Sequence, residues 1–304
     1  MGKILYIAGM GHNGSTILDI AFGFSEGVSS LSQLNDLPSF FRNGENNIRG
    51  DEYCRTFWAE VVSSLTAEEL AELDSLNDTV LREKKFPRML FSKKFRQRFA
   101  RINERVIDRI FKLTGSDLII DSTKNISRCL ALQELQNYEV FVLHLIRDQR
   151  GFIESVNKRK AENEERPVLF VPYGRWLFKN IMASVFLRPR CRNYLRLHYE
   201  DLQRDPAGSI ERIAQFVEYP LEGTRKAMLS ETPLKRPPSL TFAGNRVLTE
   251  KEFLFRRKSS ISQPSFTYKR KLKMTKERLT SWWYWYTIGW VGAFWGYGRT
   301  GYKH

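Results

Sequence analysis

Residues 4–9 are continuously apolar, and the run ends in Gly9-Met10-Gly11-His12-Asn13-Gly14-Ser15-Thr16. An unbroken apolar run of this length predicts a strand buried on both faces. Apolar residues then recur at helical spacing, and Ile17, Leu18, Ile20, Ala21 and Phe22 are expected to face inward. The chain therefore opens with a strand, a glycine-rich turn and a helix. Residues 60–112 alternate charged and apolar positions and predict helices, broken at Phe86-Pro87. A second buried strand is Leu118-Ile119-Ile120, with Asp121-Ser122-Thr123-Lys124 at its carboxyl end and a helix from about Ser127 to Leu135 behind it. A third, Val140 to Ile146, leads into Arg147-Asp148 and a helix carrying Phe152 to Asn157. A fourth, Leu195 to Tyr199, precedes Glu200-Asp201-Leu202 and a helix from about Pro206 to Val217.

Strands alternating with helices predict an α/β fold, a parallel sheet with helices on both faces. Polar residues gather just after the strands, where open α/β sheets bind ligands. Residues 231–275 are rich in Pro, Ser, Lys and Arg and predict a long loop region. The tail is densely aromatic from Trp282 through Trp290 and on to Phe294, Trp295 and Tyr297. No internal repeat is visible.

The chain has 304 residues, 42% hydrophobic and 27% charged, the balance of a soluble globular protein with a sizeable core. Its formal net charge of +15 favours an anionic partner: nucleic acid, a membrane surface or a phosphorylated cofactor. Cys54, Cys129 and Cys191 are far apart and form no CxxC pair. Neither a zinc site nor a disulfide framework is expected, and the scattered His12, His144, His198 and His304 suggest no metal site either. The apolar run after Lys3 is too short for a signal peptide or a membrane span, which points to the cytosol.

Two groups of residues carry candidate chemistry. In Gly11-His12-Asn13-Gly14-Ser15-Thr16, glycines let backbone wrap around an anion. The helix that follows offers free N–H groups and a positive dipole end, and Ser15 and Thr16 add hydroxyls. A triphosphatase loop needs lysine before Ser/Thr, and Gly14 stands there instead. The plain alternative is a glycine turn with no ligand. The second group is Arg147 at a strand end and Ser155 two turns into the next helix. Arginine supplies a forked donor for phosphate oxygens, and serine a hydroxyl. The plain alternative is a surface ion pair between Arg147 and Asp148.

Together these residues resemble a family, the sulfotransferases that use 3′-phosphoadenosine 5′-phosphosulfate (PAPS). The loop from Gly11 to Thr16 is similar to their 5′-phosphosulfate loop, and Leu145-Ile146-Arg147-Asp148-Gln149-Arg150-Gly151 with Ser155 to their 3′-phosphate motif. Cys54 with Phe57-Trp58, Asp121-Ser122-Thr123-Lys124, Tyr199-Glu200-Asp201-Leu202 and Gly244-Asn245-Arg246 resemble a bacterial branch. The resemblance runs in order over about residues 4–260. It implies a P-loop NTPase-like sulfotransferase fold over 1–260, with a helical insertion at about 40–112, and a basic, aromatic tail over 261–304.

It also implies roles. The backbone of 12–16, with Ser15 and Thr16, would hold the phosphosulfate, and a protonated His12 would offer charge to the sulfuryl oxygens. Arg147 and Ser155 would hold the 3′-phosphate. Tyr199 would lie near the nucleotide, and Asn245 and Arg246 in a late loop closing over it. Lys124, with His12, is the candidate for stabilising the leaving bisphosphate oxygen. Asp121 is expected to orient Lys124 or to cap the following helix. Relatives carry a Glu as base about twenty residues after the loop. Gln33 stands there, so Asp36, a neutral His12, or loss of activity with retention of the fold are the open alternatives.

The expected reaction is sulfuryl transfer from PAPS to an acceptor hydroxyl, with a carbohydrate or lipid-linked acceptor foremost. The competing classes are a sulfotransferase-like nucleotide- or glycan-binding protein and a small-molecule kinase. A nucleic-acid binder is disfavoured, because the positive charge is spread along the chain and no recognition motif accompanies it. The aromatic tail is expected to pack on the core or, failing that, to touch a membrane surface. Oligomeric state is not legible.

Overall fold

The structure, a computed structural model, describes residues 1–31, 33–34, 37, 52–81, 86–166, 170–240, 252–255, 289–298 and 301–302. Five parallel strands form the sheet: β1 (Gly2–Gly9), β2 (Val28–Ser30), β3 (Leu118–Lys124), β4 (Tyr138–Ile146) and β5 (Asn193–His198). Their spatial order is β2-β3-β1-β4-β5. The chain leaves β1 toward one edge and later returns to build β4 on its other side, so β1 and β4 flank the switch point at their carboxyl ends.

Alternate residues of β1 feed different cores, as a strand's two-residue period requires. Ile4, Tyr6 and Ala8 join one hydrophobic cluster, and Leu5 and Ile7 the other. The first cluster is covered by α2 (Glu52–Ser63), α3 (Ala67–Leu81), α4 (Phe86–Phe91), α5 (Lys93–Thr114) and α6 (Ile126–Leu132). The second is covered by α1 (Ser15–Phe22) and, late in the chain, by two helices described below. The fold is thus α/β with a parallel sheet flanked on both faces, as the alternation of patterns predicts. The helices of 52–114 pack directly on the sheet as one of its two layers.

Beyond β4 come α7 (Gln149–Glu162) and α8 (Phe170–Ile181), which continues as a π-helical turn, Met182–Leu187. After β5 follow α9 (Tyr199–Arg204), α10 (Pro206–Val217) and α11 (Glu222–Leu229). α10 and α11 complete the second face. Several sequence expectations are corrected. β3 runs on to Lys124 where three residues were expected, and Asp121 to Lys124 belong to it. Phe86-Pro87 opens α4 instead of only breaking helix, since proline tolerates the first helical turn. Ile17 is only half-buried, while Asp19 on the same helix is buried. β2 and α8 had no strong signal in the pattern.

No described helix is long and apolar enough to cross a membrane. Of the tail, Trp295 and Tyr297 are buried and pack with Trp176, Tyr173, Phe152 and Ile146 as a third cluster. Its remaining aromatic residues from Trp282 to Tyr286 lie outside the described residues.

Candidate active site

The loop between β1 and α1 is shaped by close backbone approaches. Gly14 caps α1 with φ +94°, and a Cβ there would meet the Tyr199 ring at 2.4 Å. Gly9, with φ +137°, lies against β4, where a Cβ would come 2.5 Å from the Leu145 carbonyl oxygen. Only glycine suits either position. Asn13 is buried and faces the fold, donating from Nδ2 to the Leu145 carbonyl at 2.8 Å and accepting from the Ser15 N–H at 3.2 Å. Its side chain pins the loop to β4; what remains for an anion is backbone, the helix N-terminus and Thr16, which is half-buried where Ser15 is buried.

Arg147, at the end of β4, reaches this loop. Its Nη1 donates to the His12 carbonyl at 2.9 Å, and its guanidinium lies 4.7 Å from the Tyr199 ring centroid, a cation–π contact. Tyr199, at the start of α9, is held by Gln203 Nε2 donating to its hydroxyl at 2.8 Å. Ser155 Oγ lies 3.1 Å from His12 Nδ1. Gly11 to Thr16, Arg147, Ser155 and Tyr199 are thus one constellation at the β1/β4 switch point. Arg147 does not pair with Asp148. That carboxylate caps α7 through the Arg150 N–H at 2.8 Å and binds the Arg150 guanidinium at 2.5 Å.

His12 and Lys124 share a left-handed backbone, with φ of +62° and +65°. Such conformations are costly for residues with a Cβ and cluster at functional sites. Lys124 ends β3 just after a bulge, where Tyr6 pairs with Asp121 but Ala8 pairs with Lys124. A bulge re-aims the side chain that follows it. Burial lowers the His12 pKa, and the nearby charges of Arg159, Arg147 and Lys124 lower it further. The imidazole is therefore neutral at neutral pH, a donor–acceptor and not a fixed cation. An anion beside it would oppose that shift. Arg159 escaped the sequence reading; it stands one turn beyond Ser155 at i+4, the spacing that could have found it.

Asp121 takes neither expected role. It is buried, accepts from Arg128 Nε at 2.9 Å and from the Thr123 N–H at 3.0 Å, and Asn125 caps α6. Gln33 lies in the segment after β2 and is half-buried. Asp36, Asn245 and Arg246 lie outside the described residues. A carboxyl group that sequence reasoning missed is Asp19, buried on α1. It accepts from the hydroxyls of Ser30 on β2 and Ser122 on β3, the latter at 2.8 Å.

Behind Arg147 stands a polar brace. Trp176 Nε1 donates to the Arg147 carbonyl at 2.9 Å, and the Trp295 ring meets Trp176 edge-on at 5.3 Å. Glu200 accepts from the Asp148 N–H at 2.9 Å and from the Tyr297 hydroxyl at 3.0 Å. Burial and the Asp148 charge raise the Glu200 pKa to about 7.

The structure thus brings a lysine-free glycine loop against an arginine–serine couple. The family model described as "Sulfotransferase domain" matches residues 171–281, a stretch that contains Tyr199 and Glu200. Over that stretch the chain is similar to the sulfotransferase domain. It is 31% identical over 101 residues to rat sulfotransferase 2A6, covering 33% of this chain and 32% of that protein. The chain thus matches about a third of that curated relative's length. Among solved structures, the sulfotransferase domain of the Synechococcus PCC 7002 olefin synthase is 21% identical with a TM-score of 0.46, covering 83% of this chain and 84% of that one. The sulfotransferase domain from the curacin biosynthetic pathway is 15% identical with a TM-score of 0.48, covering 93% and 97%. The loop from Gly11 to Thr16 and the Arg147–Ser155 couple fall outside the segment that the family model matches.

Proposed function

We propose that the protein is a sulfotransferase that moves the sulfuryl group of PAPS to an acceptor hydroxyl. The observation that carries this is the meeting of the loop and the couple at one residue: Arg147 donates to the His12 carbonyl while Ser155 touches the His12 ring. A donor with a phosphate at each end of its ribose suits two anion centres this close. In this reading the α1 N-terminus, the loop backbone and Thr16 hold the 5′-phosphosulfate, and Arg147 and Ser155 hold the 3′-phosphate. Lys124 offers charge to the oxygen that leaves with the 5′-phosphate, and neutral His12 donates a hydrogen bond beside it. Tyr199 stacks under Arg147 and fixes its direction. Asp36, Asn245 and Arg246 keep their proposed places, the first as an alternative base and the others in a closing loop. The acceptor is proposed to be a carbohydrate or a lipid-linked alcohol. Glycine in place of the Walker lysine weighs against a kinase.

Calorimetry with 3′,5′-bisphosphoadenosine and with ATP tests the proposal. The bisphosphate should bind at least about tenfold more tightly than ATP, and Arg147→Ala should abolish that preference by removing a charged hydrogen-bond donor. Equal binding of both nucleotides by the wild-type chain rejects the PAPS assignment.

A further inference from the structure

Gln33 leaves the reaction without the carboxylate that sequence comparison expects, yet a carboxyl group lies one helical turn behind the phosphate loop. Asp19 is on α1, four residues after Ser15, and therefore about 6 Å further along the helix axis. It is 2% exposed and is among the residues that line a cavity of about 70 Å³. The other polar groups lining this cavity include Ser29 and Ser30 from β2, Tyr53 from α2, and Arg236 and Ser239 from the segment after α11. A space of this size takes a few water-sized groups: one hydroxyl-bearing edge of a sugar, not a whole ring. Hydroxyls, a phenol and a guanidinium around it suit a polyol and offer little to a flat apolar ring.

Resting on the sulfotransferase reading above, we propose that this cavity receives the hydroxyl-bearing edge of a carbohydrate acceptor and that Asp19 takes the proton from the hydroxyl that is sulfated. Each Asp19 oxygen has capacity left for the task. A carboxylate has about four acceptor positions, and the Ser30 and Ser122 hydroxyls occupy one on each oxygen. Those two bonds also fix the carboxylate between β2 and β3. Lys124, at the end of β3, is near enough to both places for its charge to act on Asp19 and on His12 alike. In the step, the acceptor O–H proton passes to Asp19 as the acceptor oxygen bonds to sulfur. The bond from sulfur to the 5′-phosphate oxygen breaks, and that oxygen leaves with the electron pair. Asp19 then returns the proton to solvent through the cavity.

The groups facing Asp19 set its proton affinity. Burial raises its pKa to about 6; the Ser30 and Ser122 hydrogen bonds and the Lys124 charge lower it, while the Asp121 charge raises it. Tyr53 and Arg236 line the same cavity. A base of this strength is mostly ionised at neutral pH and still accepts a proton usefully.

The test uses 35S-labelled PAPS and a panel of p-nitrophenyl glycosides, with bisphosphate calorimetry alongside. At least one glycoside should take label from the wild type, and turnover should fall away below about pH 6. Asp19→Asn should lower turnover roughly 100-fold and remove that acid limb, with bisphosphate affinity unchanged. Ser239→Trp, which fills the cavity from its rim, should block label transfer and leave bisphosphate binding intact; it decides the matter if Asp19→Asn does not fold. The carboxyl carbon-13 resonance of Asp19 should titrate near pH 6 and shift when the labelled glycoside is added. Undiminished transfer in a folded Asp19→Asn chain, or in Ser239→Trp, overturns the role of Asp19 and its cavity while the donor reading stands. So does bisphosphate binding with no glycoside labelled. Failure of the wild type to bind the bisphosphate removes both readings.

Discussion

At the scale of single residues, the loop and the couple could be picked out because each is local, and the structure brings them together. Gly11 to Thr16 is one unbroken segment, and Arg147 and Ser155 are fixed by a strand end and the helix that follows. What was not legible depends on partners far along the chain. Arg128 reads as an ordinary helical arginine, but it is 1% exposed, pairs with Asp121 at 2.9 Å and donates to Asn103 at 2.7 Å. That burial takes Asp121 away from Lys124. A buried pair is strongly destabilised by loss of one member, because the other charge is left without compensation. Arg128→Met should therefore cost about 3–5 kcal/mol in urea unfolding. The double variant with Asp121→Asn should recover part of this, and equal losses in the single and double variants would refute the account. His12 and Lys124 were candidates by resemblance alone. Their left-handed backbone is an independent physical mark that no residue pattern could supply.

At the scale of elements, long periodic segments were read well and short or composite ones were not. The helix from Pro206 to Val217 was found with its bounds, since its N-cap Asp205, its first-turn proline and its apolar stripe all agree. β2 is three residues long and gives no period to detect. The brace of Trp176, Glu200, Trp295 and Tyr297 joins α8, α9 and the tail and becomes visible only in the fold. It has a consequence for pH. The folded Glu200 has a pKa of about 7 against an ordinary 4.5, raised chiefly by burial. Between those values the folded chain keeps a proton that the unfolded chain has lost. The contribution is thus fully present below about pH 4.5 and is lost as pH rises through about 7. Its size is about 3 kcal/mol. Asp19 acts with the same sign up to about pH 6. Buried, neutral His144, His12 and His198 act with the opposite sign below about pH 6.5 but are common to both chains, so raising the pH from 5 to 8 should cost the wild type about 3 kcal/mol more than it costs Glu200→Gln in urea unfolding. A slope unchanged by Glu200→Gln would exclude this carboxyl as its source.

At the scale of the whole molecule, the net charge of +15 and the position of the β1/β4 switch point act together. Composition alone leaves the anionic partner open. The fold gathers part of that charge in one place: Arg147, Arg159 and Lys124 all press on His12 at the carboxyl ends of β1 and β4. Charges gathered around a crevice focus the field and raise the encounter rate with anions. The association rate of 3′,5′-bisphosphoadenosine, measured by stopped flow, should therefore fall about tenfold or more as salt rises from about 0.01 M to about 1 M, where the screening length shrinks from about 30 Å to about 3 Å. Its dissociation rate should change far less, since contacts within the site are shorter than either length. Adenosine, which carries no charge, should associate at nearly the same rate throughout. A bisphosphate rate as insensitive to salt as that of adenosine would mean that the basic surface is spread too evenly to steer, and that the donor is captured by local contacts at Arg147 and Ser155 alone.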